Sequence, residues 1–150
     1  MTTTRRATAG DAPAIAGLLG QLGYPTSDEA IPARLAAVEA HGGVIFVAVG
    51  EQSGIIGVAS GVRHATIHAD GEVAYITALV TDANARRQGV GRALIAALEE
   101  WATSHGCSRL SVTSAEHRAG AHAFYPSCGF PYTGRRFTKS LVTDRTEARV

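Results

Sequence analysis

The segment that most constrains this 150-residue chain is a glycine-rich turn at 86–94, which reads Arg-Arg-Gln-Gly-Val-Gly-Arg-Ala-Leu. An apolar run, Glu72–Thr81, precedes the turn, and apolar residues follow it at helical spacing. Glycine lets backbone N–H groups approach a ligand with no Cβ in the way, and a helix start leaves N–H groups unpaired beside a positive dipole end. The turn therefore predicts a phosphate site between a strand and a helix.

The overall charge indicates a small anionic ligand. The formal net charge is only +1, so the chain lacks the basic surface that binding to nucleic acid requires. No apolar run approaches the ~20 residues of a membrane span, and residues 1–7 lack the apolar segment of a signal peptide. We therefore expect one cytoplasmic domain over residues 1–150, with no nucleic-acid or membrane partner.

Metal and hydrolase chemistry find little support in the sequence. Cys107 and Cys128 have no metal-ligand spacing, and we expect both to be buried thiols. The histidines at four other positions fall on different predicted elements, so we expect no metal site: His64, His68, His117 and His122. Ser114 and His117 lie close in sequence, but the Gly-x-Ser-x-Gly turn of a hydrolase nucleophile is absent.

Periodicity and turn signals predict an order of β-α-α-β-β-β-α-β-α-β, a mixed α/β domain. The predicted strands lie at 3–7, Val44–Val49, Ile55–Val62, Glu72–Thr81, Leu110–Thr113 and Arg136–Val142. The first predicted helix is capped by Asp11 and ends at Gly23, and the second covers Asp28–Ala40. A third helix follows the glycine-rich turn, and a fourth covers Ala119–Tyr125.

Two common phosphate motifs do not fit the turn. A dinucleotide site needs a third glycine where Leu94 stands, and an acidic residue about 20 positions later, where Arg109 lies. A mononucleotide P-loop needs Gly-Lys-Ser/Thr after the turn, which is absent.

The segment 76–94 instead resembles the acetyl-CoA motif of the GNAT acetyltransferase superfamily, Arg/Gln-x-x-Gly-x-Gly/Ala between a strand and a helix. Ala123–Phe130 resembles the Phe-Tyr-x-x-x-Gly-Phe motif of the same superfamily. The resemblance implies an α/β GNAT fold, with a mixed central sheet of about six to seven strands and about four helices. It also implies an N-acetyltransferase that uses acetyl-CoA as co-substrate, without a metal.

The resemblance also implies how the donor is held. The backbone of Leu79, Val80 and Thr81 would pair with the pantetheine arm, which behaves as an extra strand. The pyrophosphate would lie on N–H groups of the turn, with charge from the basic side chains around it, and Phe124 would contact the cofactor. The residues of the turn in this site are Arg86, Arg87, Gln88, Gly89, Val90, Gly91 and Arg92.

For catalysis, the resemblance makes Tyr125 the general acid and the Leu79 N–H the donor to the thioester oxygen. A base must deprotonate the amine, whose pKa is about 10. Relatives often carry a carboxylate on the central strand, but Tyr75–Ala78 stands there. Glu72 acting through water, or else Glu116 with His117, are the candidates, and the sequence does not choose between them.

Pro126 follows Tyr125 directly, so we expect the fourth helix to end or kink at Tyr125. The acceptor would enter over Gly23–Glu29 and the hairpin end near 63–71, where four acidic side chains would attract a cationic amine: Asp28, Glu29, Asp70 and Glu72. A small-molecule amine is the favoured acceptor and a homodimer is possible for such a fold. The alternatives are a non-catalytic acyl-CoA-binding module and a protein N-terminal or lysine acetyltransferase.

Overall fold

The computed structural model describes residues 2–86, 88–113, 119–134 and 136–142, with residues 119–122 as backbone only. The strands are β1 Thr3–Arg6, β2 Val44–Val49, β3 Ile55–Thr66, β4 Ala69–Thr81 and β5 Leu110–Val112. The helices are α1 Ala12–Leu22, α2 Ile31–Ala40, α3 Val90–Ser104 and α4 Ala119–Ser127. This order confirms the predicted elements as far as α4.

The five strands form one sheet in the order β1-β2-β3-β4-β5. Strands β1 to β4 are antiparallel neighbours in sequence order. Strand β5 lies next to β4, and helix α3 connects the two strands in the sequence. A helical crossover of this kind joins parallel neighbours, so β5 is parallel to β4. The sheet is therefore mixed, as predicted.

The strand count is lower than the six to seven that the resemblance implied, because the described residues contain five strands. The predicted closing strand Arg136–Val142 is wrong, since these residues adopt no regular secondary structure. The Val142 N–H donates to the Ser140 hydroxyl at 3.4 Å, a local bond in place of a ladder bond. Phe137 and Leu141 are each 91% exposed, so their apolar side chains are not packed as those of a core strand would be.

The β3–β4 hairpin is longer than predicted. Strand β3 continues to Thr66 rather than ending at Val62, and β4 begins at Ala69, where Thr66 and Ala69 are paired. The predicted end at Val62 is wrong because backbone pairing continues through Arg63 and His64, since the ladder requires no apolar side chains. The hairpin tip, with Ile67, is exposed.

Helices α1 and α2 form a hydrophobic core with one face of the sheet. The buried residues of this core come from both helices and from three strands, and they include Ile15, Leu18, Ile31, Leu35, Ile45, Val47, Val58 and Val80. Helix α3 packs on β3 from the opposite face, since a Cβ added at Gly61 would lie 3.1 Å from side-chain atoms of both Leu98 and Trp101. The sheet is thus covered on both faces.

Asp11 precedes α1 as predicted, but its side chain does not cap that helix. Its carboxylate accepts two hydrogen bonds from the Arg5 guanidinium, both at 2.9 Å, and one from the Thr8 N–H at 2.8 Å. The Arg5 guanidinium holds the pKa of the Asp11 carboxyl below its usual value. Asp11 therefore ties the end of β1 to the entry of α1.

The contacts divide the chain into two compact units, Met1–Ser111 and Val112–Val150. In the second unit, α4 continues to Ser127 with Pro126 inside it, two residues beyond the predicted end at Tyr125. The helix ends one residue after the proline, where the Phe130 N–H donates to the Tyr125 carbonyl at 3.0 Å and Gly129 has φ +91°. In the described ranges, none of the helices is long and apolar enough to cross a membrane.

Candidate active site

The glycine-rich turn connects a 3-10 helix, Ala83–Ala85, to the first residue of α3, Val90. Gly89 precedes the helix with φ +77°, a left-handed conformation that glycine adopts without the cost a Cβ would add. The N–H groups of the first helical residues, Val90 and Gly91, have no carbonyl one turn earlier to accept them. The turn therefore presents backbone donors at a positive helix end. Arg86, Gln88 and Arg92 are exposed around it, and Arg87 lies outside the described residues.

The start of α3 is fixed by a close approach to β3. A Cβ at Gly57 would lie 2.8 Å from Val90 Cγ1 and 3.0 Å from Leu94 Cδ1, closer than side chains tolerate. Val90 is 1% exposed and Leu94 is fully buried. The first turn of α3 therefore rests directly on the backbone of β3, and this contact sets the position of the glycine-rich turn.

A second contact holds the loop between β4 and α3. The Asp82 carboxylate accepts the Asn84 N–H at 3.1 Å. The Gln21 side chain, at the end of α1, accepts the Ala83 N–H at 2.9 Å and donates to Asp82 at 3.4 Å. Sequence reasoning missed Gln21, because a polar residue about 60 positions away carries no local signal for this contact.

The pairing of β4 determines which of its N–H groups face β3. The Asp82 N–H donates to the Ile56 carbonyl at 2.9 Å, and the next pair in the register is Gly57 with Thr81. Bonded and non-bonded pairs alternate along an antiparallel ladder. The N–H groups of Thr81 and Leu79 therefore point away from β3, whereas that of Val80 points towards it.

A β-bulge interrupts β4 just before Leu79. Ser60 pairs with Ala78 and Gly61 pairs with Ile76, so Thr77 is an extra residue on β4. A bulge bends its strand and changes the direction of nearby groups. The Thr77 and Ser60 hydroxyl oxygens lie 2.6 Å apart. Neither residue was predicted as functional, because the position of a bulge depends on strand pairing and cannot be recognised from the sequence of one strand.

Glu72 forms an ion pair with Arg63 near the other end of β4. Burial, and then the Glu72 charge, raise the pKa of the neighbouring Cys107 thiol, which is half-buried like Cys128. Glu72 lies seven positions before Leu79, a distance on the order of 20 Å along a strand. At that separation Glu72 would reach a centre held at Leu79 only through water, and its role as the base stays a prediction.

The second unit contains the residues of the Phe-Tyr motif. Phe124 and Tyr125 are half-buried in α4, and their ring centroids lie 5.4 Å apart in an edge-to-face arrangement. The Tyr125 and Phe130 rings pack in the same way at 6.0 Å. The alternative base pair, Glu116 and His117, lies outside the described residues.

The remaining predicted polar residues lie mostly at the surface. Asp28, Glu29 and Asp70 are exposed. His64 stacks on Tyr75, with ring centroids 5.2 Å apart and planes within 9° of parallel. Among the residues that the structure describes, no group of three histidine, cysteine or acidic side chains is arranged to hold a metal.

The model of the Acetyltransferase (GNAT) family matches residues 17–130, which include the phosphate turn and the Phe-Tyr motif. The chain belongs to this family, and the enzyme is an acetyl-CoA-dependent N-acetyltransferase.

Two curated relatives and one solved structure illustrate the similarity. The chain is 31% identical over 137 residues to an aminoglycoside N(6')-acetyltransferase type 1 of Stenotrophomonas maltophilia, covering 89% of this chain and 88% of the relative. It is 32% identical over 120 residues to glucosamine 6-phosphate N-acetyltransferase 1 of Oryza sativa subsp. japonica, covering 76% and 71%. The crystal structure of glucosamine-6-phosphate N-acetyltransferase from Arabidopsis thaliana superimposes with a TM-score of 0.82 at 23% identity, over 95% of this chain and 99% of that one. This confirms the predicted GNAT fold.

Proposed function

We propose that the protein transfers the acetyl group of acetyl-CoA to a primary amine of a small molecule by direct attack in a ternary complex. The pairing of β4 is the observation that carries this proposal. It turns the N–H groups of Leu79 and Thr81 outward, on the strand that leads directly into the phosphate turn. The names of the two curated relatives support a small-molecule amine, because they specify an aminoglycoside and glucosamine 6-phosphate.

The donor would lie along the end of β4 and the start of α3. The outward N–H groups of Leu79 and Thr81 would pair with the pantetheine arm as a neighbouring strand does. The Val80 N–H points towards β3 and would not be available for this pairing. The pyrophosphate would accept N–H groups from the turn 88–92, with charge from Arg86, Arg87 and Arg92, and Phe124 would contact the bound donor. Gly89 suits this role because nothing lies within 4 Å of its missing side chain, which leaves the approach open.

For the chemical step, the Leu79 N–H would donate to the thioester oxygen as negative charge develops there. The neutral amine nitrogen forms a bond to the acetyl carbon and the carbon–sulfur bond breaks, after which the nitrogen gives its extra proton to solvent. Tyr125 would then donate its phenolic proton to the departing thiolate and regain one from solvent.

The activity is tested by incubating the protein with acetyl-CoA and a panel of aminoglycosides, amino sugars and polyamines, and following the release of free thiol. Tyr125→Phe should lower kcat by roughly 100-fold, the scale of general acid catalysis, without weakening acetyl-CoA binding. Tyr132→Phe is the matched control, since Tyr132 lies in the same unit and is 75% exposed. An unchanged rate in Tyr125→Phe would remove Tyr125 from the mechanism.

Acetyl-CoA binding with no thiol release for any amine would instead indicate the acyl-CoA-binding module. Release only with peptide amines would indicate a protein acetyltransferase. The family match spans 17–130 and so includes parts of both compact units, which supports a single GNAT domain over residues 1–150. The cytoplasmic location and the homodimer stay predictions.

A further inference from the structure

We propose that the Ser60–Thr77 hydroxyl pair carries away the proton that the acceptor ammonium loses before its nitrogen attacks the thioester. This inference rests on the proposed function and assigns the base function that the sequence left open. The relay takes the place of a carboxylate on the central strand, where this chain has Tyr75–Ala78.

The first argument is the position of the pair. Thr77 is the bulged residue of β4, two residues before Leu79, so the two lie roughly 7 Å apart along the strand. An amine that attacks a carbonyl held at the Leu79 N–H would therefore be near the Thr77 hydroxyl. Glu72, by contrast, is several times farther away along the same strand and is paired with Arg63.

The second argument is the face on which the pair lies. A Cβ at Gly61 would point into α3, so the side chain of its neighbour Ser60 points to the opposite face. Thr77 is exposed on that face and Ser60 is half-buried, so the pair connects the bulge to solvent. The stacked rings of His64 and Tyr75 lie farther along the hairpin, with Tyr75 37% exposed, so this surface is open to an acceptor.

The third argument is the chemistry of two hydroxyls at 2.6 Å, either of which can donate to the other. The ammonium would give its proton to Thr77 Oγ1 as Thr77 passes its own proton to Ser60 Oγ. Ser60 would pass its proton to a solvent water in the same step. One proton moves from the amine to water, and both hydroxyls end as they began.

The test compares Thr77→Val with Thr77→Ser over a range of pH, using the best amine of the panel. Valine keeps the branched shape that suits the strand and removes only the hydroxyl. We expect kcat of Thr77→Val to fall by roughly 10- to 100-fold near pH 7, with Thr77→Ser close to the wild type. The deficit should shrink as the pH approaches the pKa of the amine, about 10, because the amine then arrives neutral.

The control is Thr3→Val, which makes the same change at an exposed position of β1. Ser60→Ala interrupts the relay at its second member, and it should show the same pH-dependent deficit. If Thr77→Val fails to fold, the pH dependence of Ser60→Ala tests the relay instead. The double variant should be no slower than the slower single variant, because the two hydroxyls act as a unit.

A wild-type kcat near pH 7 in Thr77→Val, or a deficit that is equal near pH 7 and near pH 9.5, would overturn the relay. The second result would mean that the pair only stabilises the bulge. Failure of the proposed function looks different, because the wild-type protein would then release no thiol with any amine.

Discussion

The proposed donor region and the proposed acceptor surface of this enzyme are built from different parts of the chain. The donor region, defined as 79–81 with the turn 86–92, offers mainly backbone N–H groups set by strand pairing and a helix start. The acceptor surface, defined as Ser60, His64, Tyr75 and Thr77, offers side chains on one face of the β3–β4 hairpin. In the proposed mechanism, side-chain identity therefore matters little in the donor region, whereas the acceptor surface acts through its side chains.

A donor site built from backbone would let an enzyme family keep one donor while its acceptors vary. A backbone site tolerates substitution as long as the chain keeps its path, so its weak points are the contacts that hold that path. In this chain those contacts are Gly57 beneath α3 and Gln21 beside the 3-10 helix. We therefore expect substitutions at these two contacts to change the affinity for acetyl-CoA.

The largest effect is expected from Gly57→Ala. The new Cβ would lie 2.8 Å from Val90 Cγ1, and the stiff valine cannot move aside, so the first turn of α3 must shift. We expect the free energy of unfolding to fall by about 1–3 kcal/mol and acetyl-CoA to bind roughly ten-fold more weakly. Chemical denaturation and calorimetric titration measure the two quantities.

Gly54→Ala is the matched control for that change. Gly54 lies in the turn before β3, and nothing lies within 4 Å of a Cβ built there. Both variants restrict the unfolded chain equally, so their difference reports the folded state. Equal affinities for acetyl-CoA in the two variants would show that α3 does not depend on Gly57 for its position.

A smaller effect is expected from Arg86→Ala, which tests whether backbone or charge dominates the phosphate turn. Arg86 is exposed, so its attraction for a phosphate is screened by solvent and salt. We expect acetyl-CoA affinity to fall by roughly two- to five-fold at low salt, with the difference vanishing at high salt.

Arg6→Ala removes the same charge from β1, where the guanidinium lies over the Phe46 ring, and β2 and β3 separate β1 from β4. It should leave the affinity for acetyl-CoA unchanged. A loss of 100-fold or more in Arg86→Ala would reverse the comparison, since the donor region would then depend on a side chain as the acceptor surface does.

The same division explains what sequence could predict. The Gly89–Val90 start of α3 has local causes, namely a glycine that accepts positive φ and a periodic apolar face behind it. The strand β2 was predicted with its observed limits, because its apolar run is bounded by glycines. Both features could be predicted because the residues that cause them are adjacent in the sequence.

The acceptor surface depends on register, which is not local. Thr77 faces Ser60 only because one residue is inserted into the β4 ladder, and an inserted residue shifts every later side chain without changing the pattern before it. The predicted closing strand 136–142 is wrong because these residues adopt no regular secondary structure and pair with none of the described strands. The position of Thr77 opposite Ser60 and the absence of a strand at 136–142 both depend on strand pairing rather than on the strand propensity of the local sequence.

The smallest effect is expected from Gln21→Leu, which removes the contact between α1 and the loop before the phosphate turn. Two hydrogen bonds are lost: the neutral one from the Ala83 N–H at 2.9 Å and the long one to the Asp82 carboxylate at 3.4 Å. Both are exposed, so solvent replaces them. We expect about a two-fold loss of acetyl-CoA affinity and no change in kcat, because Asp82 still accepts the Asn84 N–H. Gln52→Leu makes the same change in the exposed turn before β3 and should bind acetyl-CoA as the wild type does. If the two leucine variants bind equally, the loop keeps its path without α1, and the donor region is held by β3 and the start of α3 alone.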